Sequence, residues 1–138
     1  MNARLVTAVV GTLTILFGLA GLFYPAIVMS FANLSPVTES MRAAALGEVR
    51  AIYGGTFTVL GAFTLRCATN PSLHRGMLLM ISILWLGIFG GRMVGVVIDG
   101  NPGLLPWAGA ALEILAGGLL LMAAMSPAEP DPAQGPPL

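Results

Sequence analysis

The residues most able to do chemistry are four ionisable side chains inside long apolar segments: Glu48, Arg50, Arg92 and Glu113. An ionised side chain within a membrane is costly, so such residues pair with one another or line a site for a polar group or a proton. The chain has a single histidine and a single cysteine, and we identify no nucleophile next to a base and no cofactor fingerprint. We therefore predict no metal, no cofactor and no catalytic residue.

The composition indicates what surrounds these side chains. Of 138 residues, 57% are hydrophobic and 9% are charged, whereas a soluble domain carries about 25% charged residues. A surface so poor in charge is expected to face lipid. Four apolar runs approach the length of about 20 residues that a membrane helix needs. They cover about 5–24, 43–65, 76–98 and 107–125.

These runs predict an all-α fold, an integral membrane up-down four-helix bundle with one domain over 1–126. A disordered, proline-rich tail is expected over 127–138. The first run is expected to remain as a span, because its roughly 20 apolar residues exceed the 7–15 of a signal peptide and no small-x-small site follows. Pro25 ends this run, and the short segment after it fits an interfacial or re-entrant piece.

The arginines outside the runs predict an orientation. Arg4, Arg66 and Arg75 flank one side of the bundle, and Arg42 flanks the other. Because positive residues are enriched in cytoplasmic loops, we expect both termini in the cytoplasm. The net charge is zero and there is no lysine, which argues against nucleic acid as a partner.

Three of the buried charges are expected at one depth. Glu48 follows the start of the second run by about five residues, Arg92 precedes the end of the third by about six, and Glu113 follows the start of the fourth by about six. At 1.5 Å per residue, all three lie roughly 8–10 Å below the outer rim. Asp99, two turns from Arg92 on the same face, is one further candidate at the rim.

Small neighbours indicate that these carboxylates point into the bundle. Residues three and four positions from Glu48 and Glu113 are mostly alanine and glycine, which mark helix-facing surfaces in membranes. We predict that Arg92 pairs with Glu48, Glu113 or both. Arg50 lies about 200° around the helix from Glu48, so it is expected to reach Glu113 or Asp99 or to extend toward headgroups.

Other residues are predicted to serve packing. A small-xxx-small ladder in the third run, Gly87, Gly91 and Gly95, indicates a helix–helix contact beside Arg92. Gly54 and Gly55 are expected to pack closely in the second run. Tyr53 is expected to be a buried phenol with one polar partner.

Three segments, GEVRAIYGG, GGRMVGVVIDGNPG and ALEIL, resemble a family of small bacterial four-span membrane proteins catalogued only as a domain of unknown function. The matching positions are Glu48, Arg50, Ala51, Tyr53, Gly54, Gly55, Gly91, Arg92, Asp99, Gly100, Pro102 and Glu113. The position before Glu48, often asparagine in that family, is Gly47 here. The resemblance covers nearly all of the chain except the tail. It implies a multi-pass protein of the bacterial cytoplasmic (inner) membrane and no particular activity.

Three functions are compatible with these features. The first is a non-catalytic membrane protein, either an accessory subunit or a binder of a lipid or quinone-like headgroup in the charged outer half. The second is a proton-coupled small transporter, and the third a membrane-embedded lipid-modifying enzyme with a glutamate as acid or base. A purely structural role for the charges stands beside all three. The expected partners are membrane lipids and a larger membrane complex or a second copy of the chain.

Overall fold

The computed structural model describes residues 2–127, and the chain there is all-α with no strand. The elements are α1 (Ala3–Phe23), α2 (Pro25–Phe31), a 3-10 helix (Glu39–Met41), α3 (Arg42–Val49), a π-helix (Arg50–Thr56), α4 (Phe57–Thr69), α5 (Arg75–Asp99) and α6 (Leu104–Met125). All but the first residue of the predicted tail lies outside the described residues.

The limits of α1 follow from local chemistry. The Asn2 side chain accepts a hydrogen bond from the backbone N–H of Leu5 at 3.1 Å, and so satisfies one of the donors left free at a helix start. Pro25 disfavours helical backbone in the residue before it and lacks an N–H, so α1 ends at Phe23 and the chain turns into α2.

Three helices, α1, α5 and α6, are long and apolar enough to cross a membrane. The predicted second span is also helical throughout, as α3, the π-helix and α4 follow one another from 42 to 69 without a gap. We call this the composite helix. It is not one of the three long helices because the change to π-type hydrogen bonding divides it into segments of 8, 7 and 13 residues. Each segment alone is too short to cross a membrane.

Glycines join α1 to the composite helix. A Cβ added to Gly18 would lie 2.4 Å from the Thr58 nitrogen, and one added to Gly21 would lie 2.7 Å from the Gly54 nitrogen. Only residues without a side chain allow two backbones to come this close. Because later residues of α1 meet earlier residues of the composite helix, the two run antiparallel.

The helices α5 and α6 form a second antiparallel pair. Ser82 Oγ on α5 donates a 2.7 Å hydrogen bond to the Gly117 carbonyl on α6. A Cβ on Gly117 would lie 2.8 Å from Leu86, so this contact again depends on glycine. The pairs meet mainly where α1 packs on α6, whereas α4 touches α5 over a short stretch.

The outer surface of the described residues is strongly apolar. Leu13, Ile83 and Leu115 are 61%, 65% and 61% exposed, and many other large hydrophobic side chains are similarly uncovered. Exposing so wide an apolar surface to water would be unfavourable, whereas contact with lipid would not. The surface therefore fits a membrane protein, as the three apolar helices do.

We name the two ends by their contents. The α2 end carries Phe23, Arg42, Asp99 and Leu104, and the opposite end carries Ala3, Thr69, Arg75 and Met125.

Candidate functional site

Arg92 of α5 lies directly against Glu113 of α6. Arg92 Nε donates to Glu113 Oε2 at 3.1 Å, and Arg92 Nη2 donates to Glu113 Oε1. Two parallel N–H···O contacts of this kind form the bidentate arrangement that suits a planar guanidinium and a carboxylate. The carboxylate side chain is 7% exposed and the guanidinium side chain is 27% exposed. The pair is thus sealed on the glutamate side and partly open on the arginine side.

Small residues on α6 create the space for this pair. Glu113 and its neighbours one turn away in each direction, Gly109, Ala110 and Gly117, are all buried. A Cβ added to Gly109 would lie 3.4 Å from Arg92 Nη2. The guanidinium therefore lies directly over Gly109, where a side chain larger than a methyl group would compete with it for space.

Beyond Trp85, the side of α5 that faces the bundle is less completely covered. That side is buried at Leu78, Ile81, Ser82 and Trp85, and half-buried at Phe89, Arg92, Met93 and Val96. We call the second group the half-buried face. The π-helix is the part of the composite helix at the level of the half-buried face, and it makes at most marginal contact with α5. Within the described residues, α5 and the π-helix thus stand apart toward the α2 end.

A cluster of aromatic side chains lies on the side of the ion pair that is away from the α2 end. Tyr53 and Phe57 are parallel, with an interplanar angle of 4° and ring centroids 6.1 Å apart. Phe17 packs edge-on to both, and Phe57 touches Trp85 at a centroid distance of 5.3 Å. Of this aromatic cluster, only Tyr53 was a predicted site residue, since single aromatic residues in apolar runs carry no signal of mutual contact.

Tyr53 differs in part from its prediction as a buried phenol with one polar partner. It is half-buried, and its hydroxyl makes no hydrogen bond to another residue within 2–127. Trp85 is buried, and its Nε1 has no partner among the described residues.

Arg50 and Arg92 lie at similar heights. Each is seven residues from the Phe57–Trp85 contact, Arg50 along the composite helix and Arg92 along α5. At about 1.5 Å per residue, both backbones lie about 10 Å from that contact toward the α2 end.

Glu48 does not lie where the sequence analysis expected it. Its side chain is exposed, and in the described part of the chain it pairs neither with Arg92 nor with any other cation. The π-helix is the physical reason. The buried positions pass from Gly54 to Val49, a step of five residues where an α-helix steps by three or four. This shift turns Val49 inward, and Glu48, its neighbour, outward.

Arg50 reaches neither Glu113 nor Asp99. Its Nε donates instead to the Leu22 carbonyl at 3.3 Å, at the end of α1, where helix carbonyls lack partners and carry partial negative charge. Neither contact with a carboxylate is therefore made, and Arg50 caps α1; its expected extension toward headgroups stays a prediction. Asp99 is exposed and forms no ion pair with another residue of 2–127.

The glycines predicted to pack behave differently from one another. Gly54 meets Leu22 with no room for a Cβ, whereas a Cβ on Gly55 would approach only the Arg50 carbonyl, at 3.8 Å. A Cβ on Gly87 or Gly91 would meet nothing within 4 Å, and one on Gly95 only Asp99. The predicted ladder is therefore wrong as a contact inside the described chain, because α6 lies on a different side of α5.

The arrangement offers hydrogen-bond donors to a ligand and not a set of metal ligands. The described residues contain no group of three or more histidine, cysteine, aspartate or glutamate side chains able to hold a metal ion. What they offer is a guanidinium fixed on one side by a carboxylate and accessible from the half-buried face.

Comparison with known proteins gives one match. The family model of a domain of unknown function, DUF4345, matches residues 2–124, a range that contains every candidate residue described above. Searches of curated proteins and of solved structures find no match.

Proposed function

Since the chain belongs to the DUF4345 family, whose function is unknown, we propose its function from its own geometry. It is a small non-catalytic integral membrane protein with four spans, formed in chain order by α1, the composite helix, α5 and α6. It binds the uncharged headgroup of a quinone-like or other lipid molecule at Arg92, as an accessory subunit or a carrier of that molecule. We assign it to the cytoplasmic membrane with both termini on the cytoplasmic side.

The observation that carries this proposal is the partial exposure of a guanidinium that is already neutralised. Arg92 has five N–H donors, and its contacts with Glu113 engage two of them. Its side chain remains 27% exposed on the half-buried face. Donors left in an apolar surrounding are unfavourable until they find an acceptor, so this position favours a ligand that supplies one.

The charges favour an uncharged ligand. Arg92 and Glu113 together carry no net charge, and an anion at Arg92 would also lie near the Glu113 carboxylate. A carbonyl oxygen accepts a hydrogen bond without adding charge. A quinone offers two such oxygens on a flat, apolar ring.

Transport and catalysis are less well supported by the same residues. A proton path would need a chain of free polar groups deeper in the bundle, but α6 is apolar from Ile114 to its end at Met125. The buried hydroxyls of Thr14, Thr64 and Ser82 each donate to a backbone carbonyl. Acid–base catalysis by two carboxylates would need them to converge. Glu113 is buried against Arg92, whereas Glu48 is exposed on another helix.

Quenching of Trp85 fluorescence by a short-chain quinone tests the proposal in the full chain purified in detergent. Trp85 lies two turns from Arg92 on the same face of α5, and a Trp107→Phe background removes the other tryptophan. We expect saturable quenching that weakens about tenfold in Arg92→Gln, since a hydrogen bond to a charged group is lost.

The matched control is Arg66→Gln, which removes an exposed arginine from the last turn of α4 at the opposite end. It should leave the quenching unchanged. Quenching that does not saturate, or that weakens equally in both variants, would exclude a quinone site at Arg92.

A further inference from the structure

A second site is present at the α2 end, apart from Arg92. A groove of about 230 Å³ lies between α2 and the start of α3. We call it the rim groove, and it is lined by Ala26, Met29, Pro36, Glu39, Arg42 and Leu46. Its apolar floor includes Met29, which is 8% exposed. Of its two charged residues, Glu39 begins the 3-10 helix and Arg42 begins α3.

The charged residues of the rim groove retain unused hydrogen-bonding capacity. Arg42 Nη1 donates to Glu39 Oε1 at 2.9 Å, and the side chains are 59% and 80% exposed. This contact uses one of five guanidinium N–H groups and one carboxylate oxygen. The other donors can bind an anion, and Glu39 Oε2 can accept from a cation.

The surroundings of the rim groove are those of a membrane interface. Ile27, Val37 and Met41 are 64%, 89% and 54% exposed beside it, and Phe23 and Tyr24 are 71% and 64% exposed where α1 ends. Exposed apolar and aromatic side chains next to charged ones are typical of the boundary between headgroups and acyl chains. A lipid is therefore a better occupant than a small anion from solution.

From this geometry we infer that the rim groove binds a phospholipid with a zwitterionic ethanolamine headgroup. The phosphate lies on Arg42, the ammonium on Glu39, and the glycerol end of the molecule on Met29 and Leu46. An anionic headgroup would place negative charge beside Glu39. A choline headgroup carries no N–H to donate to the carboxylate, whereas an ethanolamine ammonium carries three.

Native mass spectrometry of the full chain in detergent tests this inference. The probes are phosphatidylethanolamine, phosphatidylcholine and phosphatidylglycerol with identical acyl chains. We expect the ethanolamine lipid to bind about fivefold more tightly than the other two, as befits exposed charge pairs. Arg42→Gln should weaken the binding of all three lipids by removing the partner of the phosphate that they share. Ala26→Trp, which fills the groove without changing a charge, should weaken all three as well.

Glu39→Gln separates the two halves of the headgroup. It should reduce the affinity for the ethanolamine lipid to that for the choline lipid and leave phosphatidylglycerol binding equal or tighter. Arg75→Gln, an exposed arginine at the opposite end, is the matched control and should change nothing.

If Glu39→Gln kept the preference for the ethanolamine lipid, the inference would be overturned, because Glu39 would then have no part in recognising the headgroup. Equal losses in Arg42→Gln and Arg75→Gln would overturn it by showing general charge attraction. These results do not depend on quinone binding at Arg92, so the two proposals can fail separately.

Discussion

At the scale of single residues, the molecule places a guanidinium between a buried carboxylate and a partly open face. Glu113 is 7% exposed and holds Arg92 through two contacts, which leave the other donors of Arg92 directed elsewhere. Gly109 makes this possible because nothing at that position obstructs the guanidinium. The pairing of Arg92 with a glutamate could be predicted from depth and small neighbours, but the choice between Glu48 and Glu113 could not.

The first prediction concerns Gly109. Gly109→Leu should displace the guanidinium from Glu113, because a Cβ would already touch Nη2 at 3.4 Å and the larger leucine side chain would need the same space. We expect a destabilisation of about 1–3 kcal/mol from overpacking, measured as a loss of thermal stability in detergent, together with weaker quinone quenching. Gly118→Leu on the same helix is the control, since a Cβ there meets nothing within 4 Å. Equal effects of the two substitutions would show that Gly109 has no special role.

At the scale of elements, the π-helix decides which side chains face inward. It carries the buried positions from Gly54 to Val49 and so turns Glu48 outward. The length and apolar composition of the second run predicted a helix correctly, but they could not reveal the π-helix. An extra residue in a helical turn leaves no pattern in a segment where nearly every position is apolar or small. For the same reason the partner of Arg50, a backbone carbonyl, could not be predicted.

Glycine contacts between α1 and the composite helix give the second prediction. Gly18→Ala should destabilise the protein by about 1–3 kcal/mol, because the new methyl group would lie 2.4 Å from a backbone nitrogen, which cannot move aside as a side chain can. Gly87→Ala should be neutral or stabilise by up to about 1 kcal/mol, since it removes a glycine from a helix without a clash. Unfolding in graded denaturing detergent compares the two. A larger loss in Gly87→Ala would place the important helix contact on α5 instead.

At the scale of the whole molecule, an apolar exterior surrounds a small number of polar contacts. Length and composition are enough to predict the all-α class, and three of the four expected spans have the length and apolarity required. The packing order could not be predicted, because the sequence does not state which pairs of helices share glycine contacts. Because α1 pairs with the composite helix, α5 pairs with α6, and the two pairs meet mainly through α1 and α6, α5 and the π-helix are left apart.

Cysteine accessibility gives the third prediction, on the number and direction of spans. Cys67 is fully buried, so a membrane-impermeant maleimide should not label the unsubstituted protein in intact cells. Ser40→Cys should be labelled in intact cells, and Ser72→Cys only after the cells are opened. Both serines are exposed, and they lie before and after the composite helix.

The possible outcomes of this labelling are distinct. Labelling of both substituted cysteines in intact cells would show that the composite helix does not cross the membrane. Labelling of Ser72→Cys alone would show that the protein has the opposite orientation.

The mutual dependence of Arg92 and Glu113 is the central claim, and a double-mutant cycle measures it directly. Free energies of unfolding in detergent would be compared for wild type, Arg92→Gln, Glu113→Gln and the double variant. We predict that each single variant is destabilised and that the double variant loses less than the sum. The expected coupling energy is about 1–3 kcal/mol, since removal of one partner leaves the other charge without compensation. Strictly additive losses, with no coupling, would contradict the account.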